Sequence, residues 1–267
     1  PERRKVILLD RGIMDIRAFL TDDVFNSILK KKGLTRAAIR HRYDGVIHLV
    51  TAADGAAEYY TGENNSARLE TPEEALRIDV RTKESWLGHP RFKIIDNSSD
   101  FEGKIKRAYS AIARFLGIPD VPPTGEKYLV SHVDLAALPA HQRIDMEQVY
   151  LRSKDKREVT RVRRRGQEGA YFHFLARTRH AGTRGLPVEE EELIPEQEYQ
   201  SLARLMDPKT EVLSRERICF LWNNQYFELD RYRGRHEGLT MLLAESPTRE
   251  TGMAASMPPF VTIGKRV

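Results

Sequence analysis

The sequence predicts two domains of different class, a parallel α/β domain followed by a closed antiparallel β-barrel. Over residues 1–118, apolar strand-like runs alternate with helical patterns, as in a parallel sheet covered by helices. Over residues 126–267, most segments alternate with a period of two, and Gly or Asn fills the turns. Residues 119–125 are rich in Pro and Gly, and they form the predicted linker.

The N-terminal region contains three apolar runs that predict strands buried on both faces, at residues 5–10, 45–50 and 92–96. Helices are expected over residues 22–32, 71–88 and 100–117. The second helix opens with Thr71-Pro-Glu-Glu74, a capping box with Pro at the first helical position. Asp100 caps the third helix, and Gly117 ends it.

The C-terminal region consists mainly of predicted strands. They are expected at residues 157–164, 170–179, 188–194, 212–221, 225–232 and 239–245. One helix, over residues 195–206, interrupts them, and Asn223-Asn224 is a predicted hairpin turn.

Composition excludes several classes of protein. The 267 residues are 40% hydrophobic and 31% charged, which is typical of a globular chain. No apolar run approaches the roughly 18–20 residues of a transmembrane helix. The single cysteine, Cys219, excludes an internal disulfide and a cysteine-based zinc site, and it suits a cytoplasmic protein. The net charge of +5 permits an anionic partner, although it favours no nucleic acid. Because residue 1 is Pro, we expect a fragment of a longer protein.

A candidate nucleotide site lies at the carboxyl ends of the predicted parallel strands, the edge where α/β sheets bind ligands. Asp10 and Arg11 follow the first strand, and Asp96 and Asn97 follow the third. Arg68, in a polar loop, could close over phosphates. Asp10 is also the candidate catalytic base of a nucleoside or nucleotide kinase. Turn capping and a solvated loop arginine explain the same residues without a ligand, and the sequence contains no glycine-rich phosphate loop.

These segments resemble a known family. The similarity lies in Asp10-Arg11-Gly12, in His41 to Ala56, in Trp86 to Pro90 and in Ile94 to Asn97. Together they resemble the AAA-type, NadR-kinase-like domain of the TRPL translocation defect protein family. The resemblance implies binding of a purine nucleotide, GTP or ATP with Mg²⁺, through a P-loop. The missing P-loop is the departure from that family.

Charged residues pair at spacing two along the C-terminal strands, which places each pair on one face of a sheet. The pairs are Arg161 with Arg163, Arg177 with Arg179, Glu189 with Glu191, Arg215 with Arg217, and Glu228 with Asp230. A sandwich with solvated outer faces explains this pattern. That is the commoner arrangement, but a barrel with a charged lumen also explains the pattern if a polyanion and interleaved carboxylates balance the arginines.

The order of these motifs resembles the CYTH, or triphosphate-tunnel, superfamily. The similarity runs from Gly125–Val130 through Glu158–Arg163, the later Glu and Arg pairs and Leu229-Asp230 to residues 239–245. The resemblance implies a closed barrel whose polyanion-binding lining is Lys127, Arg161, Arg163, Arg177, Arg179, Arg215 and Arg217. Its candidate ligands for a divalent cation are Glu189, Glu191, Asp230 and Glu245. Two carboxylates of the family's opening motif are absent, which implies binding without hydrolysis.

Both resemblances agree with the two-domain order of the TRPL translocation defect proteins. They imply a protein that binds GTP and a phosphoinositide or polyphosphate, acts in membrane trafficking, and contacts anionic membranes peripherally. A metal-dependent triphosphatase and a P-loop kinase are the alternative functions.

Overall fold

The computed structural model describes residues 5–60, 70–118, 125–153, 155, 158–180, 187–245 and 256–267. The N-terminal region contains four α-helices: α1 (Asp22–Lys31), α2 (Arg36–Arg40), α3 (Pro72–Ser85) and α4 (Phe101–Phe115). Two parallel strands, β1 (Val46–Leu49) and β2 (Phe92–Ile95), pair with Val46 opposite Phe92. A 3-10 helix, Ile13–Phe19, packs against α3.

The predicted strand at residues 5–10 does not form. These residues lie outside both sheets, and the side chains from Val6 to Leu9 are 51–81% exposed. The parallel sheet therefore has two described strands instead of the three predicted. Apolar composition favours burial, but a strand also needs a hydrogen-bonded neighbour. In the described residues β1 and β2 pair with each other, and no other strand joins their sheet.

The capping predictions for the helices are confirmed. The Thr71 hydroxyl accepts the Glu74 N–H at 3.2 Å, and the Glu74 carboxylate accepts the Thr71 N–H at 2.9 Å. Asp100 accepts the Gly103 N–H at 2.8 Å and so begins α4. These local bonds satisfy amide groups that a helix N-terminus otherwise leaves unpaired.

The C-terminal region forms one nine-stranded sheet, with the short helix α5 (Glu196–Ala203) beside β5 and β6. Its strands are β3 (Gly125–Val133), β4 (His141–Tyr150), β5 (Glu158–Gln167), β6 (Ala170–His180), β7 (Pro187–Ile194), β8 (Leu213–Trp222), β9 (Gln225–Tyr232), β10 (Thr240–Glu245) and β11 (Val261–Arg266). Gly125 is thus already in β3, and residues 119–124 of the predicted linker lie outside the described residues. Asn223 and Asn224 have φ of 47° and 58°, as the predicted hairpin turn between β8 and β9 requires.

The prediction of a closed barrel is wrong. The strand order is β11-β3-β10-β9-β8-β4-β5-β6-β7, so β11 and β7 are the edges of an open antiparallel sheet. Alternation of polar and apolar residues determines which face each side chain takes. Closure depends on strand tilt and stagger, which alternation does not encode.

One apolar core joins the two regions. Ile144, Met146, Cys219 and Tyr226 on the sheet pack with residues of the N-terminal region that include Trp86. The opposite face of the sheet has separate cores, one around Phe220 and Phe227 and one beneath α5. No helix in the described ranges is long and apolar enough to cross a membrane.

Candidate functional site

One face of the large sheet concentrates positive charge. Met146 of β4 lies opposite both Arg165 of β5 and Arg215 of β8, so these side chains share a face. Because side chains alternate along a strand, residues two positions away on each strand lie on this face too. We call it the arginine face. The cations that β3, β5 and β8 place on it are Lys127, Arg161, Arg163, Arg165, Arg215 and Arg217.

Two glutamates of β7 bind the arginines of β5. Arg161 Nη2 lies 2.6 Å from Glu189 Oε2. Arg163 Nη1 lies 3.1 Å from a carboxylate oxygen of each glutamate, and Arg165 Nη2 lies 3.5 Å from Glu191 Oε2. Burial alone would raise the pKa of Glu189, but Arg163 and Arg161 lower it below its usual value. The glutamate is therefore held in its charged form.

Asp230 of β9 joins the two arginines of β8. Arg217 donates Nε and Nη2 to Asp230 at 2.7 and 2.8 Å, and Arg215 Nε lies 3.0 Å from Oδ2. Arg217 Nη1 also lies 2.5 Å from Glu228 Oε2. Burial opposes ionisation of Asp230, yet Arg217, Arg215 and Lys127 lower its pKa. Burial likewise opposes the charge of Arg217, but Glu228 and Asp230 hold its pKa well above the ordinary value.

Some guanidinium donors on the arginine face have no acceptor. The Nε groups of Arg161 and Arg165 are buried and have no hydrogen-bond partner among the described residues. Arg215 Nε is at ion-pair distance from Asp230 but is not aligned for a hydrogen bond. Arg165 is only 6% exposed, and its Cζ lies 4.1 Å from the centre of the Phe174 ring. A buried unpaired donor costs about 1–3 kcal/mol.

The charges on this face do not balance. The six cations meet four carboxylates with described side chains, Glu189, Glu191, Glu228 and Asp230. The surplus is positive and close to groups of low exposure, where screening by water and salt is weak. Burial lowers the pKa of Arg165 to about 10. Glu191 opposes this decrease, whereas Arg163 and Arg217 add to it.

Arg177 and Arg179 do not belong to the arginine face, so the prediction that they line the site is wrong. On β6, Ala176 lies opposite Arg161 and so shares its face, which places the next residue, Arg177, on the other face. Arg179 Nε lies 2.9 Å from Glu158 there. Spacing two shows that two arginines share a face, but only the strand register shows which face it is.

The structure gives the predicted metal site no geometric support. Glu189, Glu191 and Asp230 all bind arginines. Glu245 ends β10 opposite Gly125, and its side chain lies outside the described set. Within the described ranges, no group of three or more His, Cys, Asp or Glu side chains is placed to hold a metal ion. Glu189, Glu191 and Asp230, as they are arranged, do not fit a divalent cation.

The predicted nucleotide residues have different environments. Asp10 and Arg11 are exposed outside the sheet, and Arg68 lies outside the described residues. Arg107 Nη1 donates to Asp96 at 2.7 Å. Asn97 donates to backbone carbonyls beyond β1, so it lies at the carboxyl edge as predicted, with its amide already bonded. The structure therefore places Asp96 and Asn97 at the carboxyl edge of the parallel sheet, but it does not place Asp10 and Arg11 there.

A buried charge network at this edge was not predicted. Asp79 Oδ1 lies 2.9 Å from His48 Nε2, and Asp79 Oδ2 lies 2.7 Å from Lys83 Nζ. Asn224, at the β8–β9 turn, accepts from Lys83 and donates to Asp54 at 2.7 Å. The sequence pattern marked His48 only as a core or edge histidine. Its partner Asp79 comes from α3, and the network continues through Lys83 to a turn more than 130 residues away, which no local pattern could reveal.

Arg165 and Glu228 also form ion pairs on the arginine face, and neither was among the predicted site residues. Arg165 follows Arg161 and Arg163 at spacing two, but the predicted strand ended at residue 164. The signal was thus present in the sequence, and only the strand boundary excluded it.

Comparisons with known proteins found one matching family model and several similar solved structures. A family model described as an AAA domain matches residues 2–104, which agrees with the predicted class of the N-terminal region. No curated protein matches the chain. Similar solved structures include one of the inorganic triphosphatase NE1496, with 21% identity and a TM-score of 0.38, covering 53% of this chain and 86% of that one. Another is PH1012 from Pyrococcus horikoshii OT3, with 18% identity and a TM-score of 0.33, covering 53% and 94%. At these TM-scores the structural matches carry no argument about chemistry.

Proposed function

We propose that this protein binds a short polyphosphate on the arginine face. The observation that carries the proposal is the set of six cations on one face, which outnumber the four described carboxylates that pair with them. Guanidinium groups bind phosphate oxygens through paired, charge-assisted hydrogen bonds. A polyphosphate supplies several acceptors and the negative charge that this face lacks.

The carboxylates help to determine the kind of anion. Glu189 and Asp230 already occupy part of the guanidinium surface. A weak monoanion would gain little against them, because displacing a paired carboxylate from a buried arginine is costly. A compact ligand with several charges can bind the exposed parts of Arg161, Arg163 and Arg217 without displacing the carboxylates.

Inorganic tripolyphosphate, the triphosphate of GTP or ATP, and a phosphoinositide head group share this chemistry. The phosphoinositide ligand and a role in membrane trafficking follow from the family resemblance alone. Hydrolysis of the ligand is the alternative function, and it would need a divalent cation that the described carboxylates do not fit. We therefore propose binding as the activity.

Calorimetric titration of the unaltered chain with sodium tripolyphosphate, with and without EDTA, tests this proposal. We expect saturable binding that EDTA does not weaken and that falls as salt rises. Vesicles of neutral lipid, with or without a phosphoinositide, distinguish the lipid head group from the free anion. Absence of binding to every phosphate ligand would overturn the proposal. Phosphate release that depends on Mg²⁺ or Mn²⁺ would favour the triphosphatase instead.

A nucleotide site in the N-terminal region is a separate proposal. It is supported by the AAA-domain match and by the position of Asp96 and Asn97 at the carboxyl edge of β2. Titration with MgGTP and MgATP tests it, with Asn97→Ala as the variant. Nucleotide affinity that Asn97→Ala leaves unchanged would exclude this edge as the site.

A further inference from the structure

A polar cleft lies on the outer face of the large sheet, by which we mean the face opposite the arginine face. Met146 shares the arginine face, so its neighbours on β4, Asp145 and Glu147, point to the outer face. The cleft has a volume of about 130 Å³. One water molecule takes about 30 Å³ in the liquid, so a small organic ligand has room there. The polar side chains that line the cleft are Asp145, Glu147, Arg164, Tyr171, Ser214 and Arg233.

The charged groups of the cleft are accessible to solvent. The side chains of Arg164 and Glu147 are 42% and 30% exposed, and those of Arg233 and Asp145 are 50% and 42% exposed. Arg164 on β5 lies opposite Glu147, and Ser214 on β8 lies opposite Glu147 on its other side. A ligand can therefore reach these groups without any rearrangement of the sheet.

Arg164 and Glu147 form a loose ion pair. Their Nη2 and Oε2 atoms are 3.4 Å apart, whereas a charge-assisted hydrogen bond is about 2.7–2.9 Å long. The Arg164 Cζ lies 4.9 Å from the centre of the Tyr171 ring, and the Tyr199 hydroxyl donates to Glu147 Oε1 at 2.7 Å. The other N–H groups of Arg164 have no hydrogen-bond partner among the described residues. Neighbouring side chains thus hold both charges in place, and both can still bind a ligand.

The second ion pair of the cleft is tighter, and it balances the remaining charge. Arg233 Nη1 donates to Asp145 Oδ1 at 2.8 Å, and the Arg233 backbone N–H donates to the Ser214 carbonyl at 2.9 Å. Two arginines and two carboxylates therefore line the cleft. The carboxylates repel a simple anion, and the arginines repel a simple cation. A ligand that carries one charge of each sign is attracted by both kinds of group.

We propose that this cleft binds a small zwitterion of the α-amino acid class. The carboxylate of the ligand pairs with Arg164, whose guanidinium offers parallel N–H groups. The ammonium of the ligand pairs with Glu147, and Ser214, opposite Glu147, adds a hydroxyl acceptor. The sheet itself separates this site from the arginine face, so the two ligands bind independently.

Calorimetric titration of the unaltered chain with each of the standard α-amino acids tests the cleft. We expect saturable binding of at least one of them. Its N-acetyl derivative lacks the ammonium and its amide derivative lacks the carboxylate, so each should bind at least tenfold more weakly. Failure of every amino acid to bind would overturn the proposal. Equal affinity for either derivative would also overturn it, since one charge alone would then suffice.

A matched pair of variants locates the binding in the cleft. We expect Arg164→Gln to weaken binding of the same amino acid at least tenfold, and Arg143→Gln to change it less than twofold. Arg143 also lies on the outer face, 46% exposed and 3.3 Å from Glu216, but it does not line the cleft. Both ion pairs are exposed, so both variants should fold, which circular dichroism measures. Equal losses in the two variants would overturn the proposal. If Arg164→Gln does not fold, the comparison of derivatives still decides.

Discussion

Replacing Asp230 by Asn should make the protein less stable and bind a polyphosphate more tightly. Asp230 is 3% exposed and lies between Arg215 and Arg217 at 3.0 and 2.7 Å. The substitution keeps the volume of the side chain and removes its charge. Arg217 then keeps Glu228 as a carboxylate partner, whereas Arg215 loses the carboxylate that pairs with it among the described residues.

The stability loss follows from the burial of the ion pairs. Removing one partner of a buried pair costs about 3–5 kcal/mol, because the other charge is left uncompensated. We expect a value of about 3 kcal/mol, since Asn can still accept a hydrogen bond. At roughly 2–4 °C per kcal/mol for a chain of this size, Tm should fall by roughly 6–12 °C. Differential scanning calorimetry measures this change.

The affinity change has the opposite sign. Removing one negative charge at roughly 8 Å from a bound phosphate, at an effective dielectric constant of about 20, favours the anion by about 2 kcal/mol. Affinity for tripolyphosphate should therefore rise roughly thirtyfold. Asp145→Asn is the control, because its pair with Arg233 is exposed on the opposite face and contributes only about 0–1 kcal/mol.

Two results would refute this reasoning. Unchanged stability of Asp230→Asn would mean that the carboxylate does not compensate the buried arginines. Weaker tripolyphosphate binding, especially with Mg²⁺ present, would mean that Asp230 acts as a metal ligand.

Three further predictions follow from other parts of the structure. The folded pKa values of Asp230 and Glu189 are lowered, so both carboxylates stabilise the fold above about pH 5, and this contribution is lost as the pH falls through the folded values. Tm should therefore decrease from pH 5 to pH 3, and it should decrease less in Asp230→Asn if Asp230 is one of the groups responsible. Burial raises the pKa of the Cys219 thiol to about 12, so a thiol reagent should label it only after unfolding, and rapid labelling of the native chain would contradict the buried position. Asn224→Ala removes one of the two acceptors of the buried Lys83 ammonium, with Asp79 remaining, and should cost about 1 kcal/mol. Hydrogen exchange should then show faster opening at the carboxyl edge of β1, and unchanged exchange there would show that the turn does not hold the two regions together.

Local features of this fold could be predicted from the sequence. The capping box at Thr71, the Asn223-Asn224 turn and most C-terminal strands depend on neighbouring residues, and the structure contains them. Features that depend on distant partners were not predictable. Sheet closure depends on how β11 and β7 meet, and the strand at residues 5–10 depends on a neighbour that the described residues do not supply.

The candidate site shows the same division. Spacing two correctly joined Arg161 with Arg163 and Arg215 with Arg217. It could not assign Arg177 to a face, because spacing two shows which residues share a face, and only the strand register shows which face that is. The buried contact of Arg40 with Gln167 was also hidden, since it depends on how two regions distant in sequence pack together.

Titration of two arginine variants with tripolyphosphate tests the central claim most directly. Arg163 lies on the arginine face, and Arg177 lies on the opposite face one strand away. The account predicts that Arg163→Gln weakens binding at least tenfold and that Arg177→Gln changes it less than twofold. Equal losses in the two variants, or a larger loss in Arg177→Gln, would contradict the assignment of polyphosphate binding to this face.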